Sequence, residues 1–142
     1  MIPETLGKCV ADIMSPVKDI DENATLTDVL LCFENSGVSG LPVKNSNGVY
    51  IGVISKTDVT GSKLVTCMNE GLKPDHIKVK QFMNPGMPIV VAEDESISNA
   101  VDTMLARRVH RLFVQDRYGK LSGVISTFDI VRLMQQVFSG RV

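Results

Sequence analysis

The sequence contains no tryptophan, and aromatic residues make up only 5% of it. A sugar- or base-stacking platform lined with large rings is therefore not its natural reading. Seven methionines suggest an adaptable core instead. Cysteine is scarce too: Cys9, Cys32 and Cys67 are odd in number, widely spaced, and form no Cys-x-x-Cys pair. That pattern suits a reducing compartment, and the histidines and carboxylates likewise show no metal-ligand spacing. Cys32 lies in an apolar helical pattern and reads as a small buried thiol. Neither sign of charge dominates, with 15 basic against 16 acidic side chains. This balance argues against a nucleic-acid binder that relies on a broad positive field. No apolar run approaches membrane-spanning length, and the start of the chain lacks a secretory signal's basic and apolar regions. The expected location is cytoplasmic, with no membrane partner.

What the sequence does contain, it contains twice. Val53-Ile54-Ser55-Lys56-Thr57-Asp58 returns 71 residues later as Val124-Ile125-Ser126-Thr127-Phe128-Asp129, each copy preceded by a glycine, Gly52 or Gly123. The same shift lays residues 38–59 on 109–130 with nine of 22 positions identical. Upstream, Leu26, Val29, Leu30 and Phe33 fall on Ile97, Ala100, Val101 and Met104, which is the i, i+3, i+4, i+7 spacing of an amphipathic helix. Met14-Ser15-Pro16 matches Met83-Asn84-Pro85 with a shift of 69. One shift shared by helix, strand and turn marks a duplication, with repeats expected over residues 1–73 and 74–142.

Each repeat reads as βαββα, giving an α/β fold. A short helical turn ends at Met-x-Pro, and a brief strand comes after it at 17–20 or 88–91. A helix capped by Thr25 with Asp28, or by Ser96, runs to about Ser36 or Arg108. Two strands come next, 39–44 and 50–55 in the first repeat and 110–115 and 121–126 in the second. Asn45-Ser46-Asn47-Gly48 and Asp116-Arg117-Tyr118-Gly119 supply their turns. A second helix then starts at each Ser-x-x-Asp and runs to about Asn69 or Ser139. About 70 residues of this pattern bury too little surface to stand alone. Packing of the two repeats about a pseudo-twofold axis is expected, with a ligand cleft between them.

Ser-x-x-Asp has two physical uses. It is the spacing of a helix N-cap with an acidic third residue. It also places a hydroxyl and the free backbone N–H groups of a helix N-terminus beside a strand end, a suitable place for a phosphate. One use does not preclude the other. Ser55 or Ser126 with His110 makes no convincing nucleophile pair, since no nucleophile-elbow pattern surrounds either serine.

Taken together, the tandem Met-x-Pro, the Gly40-Leu41-Pro42-Val43 strand and the doubled Gly-Val-Ile-Ser-x-x-Asp resemble a CBS-domain pair, or Bateman module, over roughly residues 8–138. The resemblance implies a non-enzymatic regulatory module, commonly a homodimer, that senses a nucleotide on behalf of an enzyme or transporter. Its implied regulatory ligands are AMP, ADP, ATP or S-adenosylmethionine, with no cofactor. By position, the implied ligand-binding residues are Ser55 and Asp58 in one repeat, and Ser126, Thr127 and Asp129 in the other.

The repeats differ in charge. Between Arg107 and Lys120 stand five Arg or Lys and one His against one acid, whereas the aligned start of the first repeat's strand is Ser39-Gly40. His110-Arg111-Leu112-x-Val114 resembles strand starts whose His and Arg grip nucleotide phosphates in that family. His110 and Arg111 are thus phosphate candidates, with Arg107 and Arg108 as helpers or as a solvated helix end. Phe113 replaces Pro42, filling core or narrowing an adenine slot, and His76 reads as a surface residue. One tight nucleotide site and one weak or empty one are expected. The competing reading is a dimerisation or interaction scaffold with vestigial sites.

Overall fold

The structure, a computed structural model, describes residues 8–36, 38 and 40–140. Its elements run α1 (Val10–Ile13), β1 (Ile20–Asp21), α2 (Leu26–Ser36), β2 (Gly40–Lys44), β3 (Tyr50–Ser55), α3 (Ser62–Asn69), β4 (Asn84–Pro85), β5 (Val90–Ala92), α4 (Ile97–Arg107), β6 (Arg111–Gln115), β7 (Leu121–Ser126) and α5 (Thr127–Phe138). They form two compact units, Lys18–Pro88 and Met1–Val17 with Ile89–Val142.

In the Lys18–Pro88 unit, two short, largely apolar strands and a strong turn make the central hairpin. Asn45 Oδ1 accepts the N–H groups of Asn47 and Val49, both at 3.0 Å, and Gly48 takes φ 78° to close the turn. β2 and β3 then pair antiparallel from Gly40↔Ser55 to Lys44↔Tyr50. β1 joins β2 in parallel, and β4 joins β3 antiparallel, giving the order β1-β2-β3-β4. Helix α2 starts at the expected cap: Thr25 N–H and Oγ1 donate to Asp28 Oδ2 at 2.9 and 3.1 Å. Its Leu26, Val29 and Phe33 meet Leu41, Val43, Ile54 and Phe82 in one buried cluster. Cys67 is buried there, whereas Cys32 only packs half-buried against it, a departure from the buried thiol read in the sequence.

The second unit repeats the plan. Asp116 Oδ1 accepts the N–H groups of Tyr118 and Lys120 at 2.9 and 3.0 Å, and Gly119 takes φ 80°. β5, β6 and β7 form the sheet, and Val10, Ala100, Leu112, Val114, Ile125 and Leu133 the core. Phe113 is buried, and His76 in the other unit is exposed, the latter as expected of a surface residue.

Three differences from the sequence reading bear on the site. The first concerns boundaries. The compact units divide at Val17/Lys18 and Pro88/Ile89 rather than at 73/74, because each Met-x-Pro segment packs on the hairpin of the other repeat. Asn84 pairs with Val53, and Ser15 pairs with Val124 through hydrogen bonds of 2.8 and 2.9 Å. The second concerns the helix expected after Ser55, which is broken. Lys56–Thr60 is a 3-10 turn, Gly61 is extended, and α3 begins only at Ser62. Both copies carry three β-branched residues here, but Gly61 stands where the second copy has Arg132, and glycine is the weak helix former that lets the first helix break. The third concerns strand starts. Pairing begins later than expected, at Ile20 and Val90; Pro88, at the expected start of the second strand, has no N–H for a ladder. The strand start expected at Ser39 lies outside the described residues, and β6 starts at Arg111 rather than His110.

Candidate functional site

Both Ser-x-x-Asp motifs sit where a strand ends and a helical turn begins. At the first, Ser55 closes β3 and is 8% exposed. Its N–H and Oγ donate to Asp58 Oδ2 at 2.7 and 3.0 Å. Its Oγ also lies 2.8 Å from Thr57 Oγ1. The other carboxylate oxygen, Asp58 Oδ1, accepts from Asn84 Nδ2 at 2.9 Å. Asn84 is not among the candidates read from the sequence. It reaches Asp58 because β4 runs beside β3, and that approach requires Gly52. A Cβ there would stand 2.6 Å from the Asn84 carbonyl oxygen.

At the second junction Ser126 closes β7 and caps α5. Its N–H and Oγ donate to Asp129 Oδ2 at 2.8 and 3.0 Å, and the Asp129 N–H returns to Ser126 Oγ at 3.3 Å. Ser15 holds the position that Asn84 holds in the first unit, its Oγ donating to Asp129 Oδ1 at 3.2 Å. Gly123 admits it, since a Cβ there would meet the Met14 side chain and the Ser15 carbonyl. A further partner has no counterpart at Asp58 among the described residues. Arg132 Nη2 makes a 2.9 Å ion pair with Asp129 Oδ1, and its guanidinium lies 5.6 Å over the Phe128 ring. Asp129 is only 3% exposed, so its charge is compensated inside the fold.

Of the basic candidates, Arg111 and the His110 backbone lie beside this second junction. Arg111 stands opposite Ser126 in the β6–β7 ladder, and directly opposed residues share a sheet face. The His110 carbonyl accepts the Thr127 N–H at 2.9 Å, while the His110 side chain is exposed. Thus Arg111, Ser126, Thr127, Asp129 and the His110 backbone meet at the start of α5. Arg107 and Arg108 are exposed at the end of α4, where Arg108 adopts φ 54° as the C-cap. Ser55 and Asp58 lie in the other unit. Its positions equivalent to Arg111 and Arg132 are Gly40 and Gly61.

Ser15, Asn84 and Arg132 are the residues that sequence reasoning missed. The Met-x-Pro match aligns Ser15 with Asn84, both small hydrogen-bonding residues, and Arg132 stands after Asp129 at the i, i+3 spacing of a helical ion pair. A groove lined by Ala92, Glu93, Gln115 and Tyr118 lies at the opposite end of the β5-β6-β7 sheet from Ser126. Among the described residues no group of three or more His, Cys, Asp or Glu could hold a metal ion, and no helix is long and apolar enough to cross a membrane.

The doubled strand-to-helix junction has a counterpart among known families. The CBS domain family matches this chain twice, over residues 10–63 and 79–136. The chain belongs to the CBS domain family. Its two CBS domains make it a tandem pair of α/β type, as the repeat pattern led us to expect. An uncharacterized protein of Methanocaldococcus jannaschii is 26% identical, with 88% of this chain and 90% of the relative covered. A second uncharacterized protein of that organism is 30% identical over 91% of this chain, which spans only 40% of that relative's length. Among solved structures, that of CBSX2 of Arabidopsis thaliana in complex with AMP is similar at a TM-score of 0.69. It is 27% identical, and the match covers 92% of this CBS pair and 98% of the plant chain.

Proposed function

We propose that this CBS pair is a regulatory module that binds an adenine nucleotide, of the AMP, ADP or ATP type, at its Ser-x-x-Asp junctions. The observation that carries this reading is the pair of junctions themselves, each with a carboxylate and a hydroxyl at a strand end, in a chain similar over 92% of its length to a protein solved with AMP. A carboxylate accepts from both hydroxyls of a ribose cis-diol, and a serine or threonine hydroxyl with nearby N–H groups suits a phosphate. Ser55, Asp58, Ser126, Thr127 and Asp129 are the junction candidates. His110 and Arg111 are the phosphate candidates, because a helix N-terminus alone supplies only about half a unit of positive charge.

The module acts without catalysis of its own. It assembles as a homodimer in the cytoplasm and reports occupancy to an enzyme or transporter. A ligand shifts such a partner only by its differential affinity for two states, about 1–3 kcal/mol in typical couplings. Calorimetric titration with AMP, ADP, ATP, S-adenosylmethionine and adenosine tests the ligand class. AMP is expected to bind far better than adenosine and to weaken with added salt. Heat from none of the five would remove the nucleotide reading and leave a dimerisation scaffold. Light scattering on the same samples tests the dimer, and a monomer at micromolar concentration would exclude it.

A further inference from the structure

The two aspartates are the same residue of the same motif, yet their oxygens are differently engaged. A carboxylate offers about four acceptor positions on its two oxygens. At Asp129 four donors fill them: Ser126 N–H and Oγ on Oδ2, and Ser15 Oγ and Arg132 Nη2 on Oδ1. At Asp58, among the described residues, three donors are present, and the half-buried side chain keeps contact with solvent. The fourth donor at Asp129 comes from a position that is glycine beside Asp58, since Arg132 aligns with Gly61. The guanidinium also lies 5.6 Å from the centroid of the exposed Phe128 ring, with about half of the Arg132 side chain in solvent.

Resting on the adenine-nucleotide reading above, we propose that Arg132 is a specificity-determining residue that withholds Asp129 from ligand. The Asp58 junction is then the one that takes a ribose. A diol reaching Asp129 would have to displace Arg132 or Ser15, exposing a buried charge to incomplete compensation. At Asp58 a diol needs only to fill the open acceptor position and share the one held by the Asn84 amide. Arg132 thereby turns the second junction from a ligand carboxylate into a clasp between α5 and the Ser15 segment.

The test is AMP calorimetry on the full chain with three proteins: the wild type, Asp58→Asn and Arg132→Ala. The wild type is expected to bind one AMP per chain. Asp58→Asn should weaken that event about tenfold to hundredfold, the range for hydrogen bonds to a charged group. Arg132→Ala should keep the first event and add a second. Circular dichroism melts on each variant establish that the protein titrated is folded. Two AMP per wild-type chain, or an Arg132→Ala protein that gains no site, overturns the proposal. So does full retention of binding in Asp58→Asn. The two readings fail separately. A silent wild type removes the proposed function, and the lock is then judged by Arg132→Ala alone: a new AMP event supports it, and continued silence overturns it.

Discussion

Gly52→Ala is the substitution whose cost can be worked most directly from the structure. An added Cβ would lie 2.6 Å from the Asn84 carbonyl oxygen and 2.8 Å from Met83 Sδ. The thioether can rotate away, but the carbonyl belongs to backbone. That backbone is held by the Gly52↔Pro85 and Val53↔Asn84 pairings, by Gly86 N–H to the Ile51 carbonyl at 2.9 Å, and by Asn84 Nδ2 on Asp58. Relief requires β4 to retreat from β3 by several tenths of an ångström. Overpacking of this kind costs about 1–3 kcal/mol, and each weakened hydrogen bond adds about 1. Removing a glycine from a strand returns roughly 0.5–1 kcal/mol. The net expectation is a loss of about 2 kcal/mol, a large part of a typical stability of about 5–15.

Urea denaturation followed by circular dichroism is the assay. With a slope of about 1–3 kcal/mol per molar, the midpoint should fall by roughly 1 M. Because the obstacle is a carbonyl rather than the methionine, Met83→Ala added to Gly52→Ala should not restore stability. A loss below about 0.5 kcal/mol, or rescue by Met83→Ala, would refute the close-approach account of this glycine.

Packing and titration give two more expected outcomes. Phe82→Ala removes a ring only 2% exposed at the centre of the Lys18–Pro88 core and should cost about 3–5 kcal/mol in the same assay; a loss under about 1 would mean that the core collapses around it. Tyr50 has its phenol pKa raised above 10.0, first by burial and then by Asp19, whose Oδ2 accepts the hydroxyl at 3.1 Å. A raised value means that its contribution to stability is present below the unfolded pKa and fades as pH rises through the folded one. Near-ultraviolet titration of Asp19→Asn in a Tyr118→Phe background should therefore show Tyr50 ionising at lower pH, and an unmoved curve would remove Asp19 as a cause.

The hairpins and first helices are legible in the sequence because their signals are local. Asn45 and Asp116 announce turns by their own side chains, and Thr25 with Asp28 announces a cap. The break at Gly61 is masked, because identity of the motif at Ser55 and Ser126 suggests that the downstream helices are identical too. The competing signal, a glycine at position 61 where the other copy has Arg132, is present in the letters. Ser15 and Asn84 are hidden for another reason. They reach their aspartates across 114 and 26 residues, and a single sequence specifies no such pairing. The repeat shows that Met-x-Pro recurs without showing what it touches. Gly52 and Gly123 are visible as a repeated residue, but their meaning requires the segment that presses against them.

Duplication explains why one motif can carry two roles. Both copies keep the Ser and Asp because both need the hydrogen bonds that join strand end to helical turn, whatever else the Asp does. That shared requirement fixes the motif and leaves its outer oxygen free to differ. In one unit Oδ1 meets a neutral amide, beside a glycine and at a break in the helix. In the other it meets a guanidinium delivered by an unbroken helix, three residues on. The break and the missing arginine are the same event, since Gly61 both ends the 3-10 turn and lacks a side chain to reach back. A helix continuous through position 132 is what brings Arg132 over Asp129 at i, i+3. Helix continuity, rather than the motif itself, is thus the physical variable that separates an aspartate with three donors among the described residues from one with four.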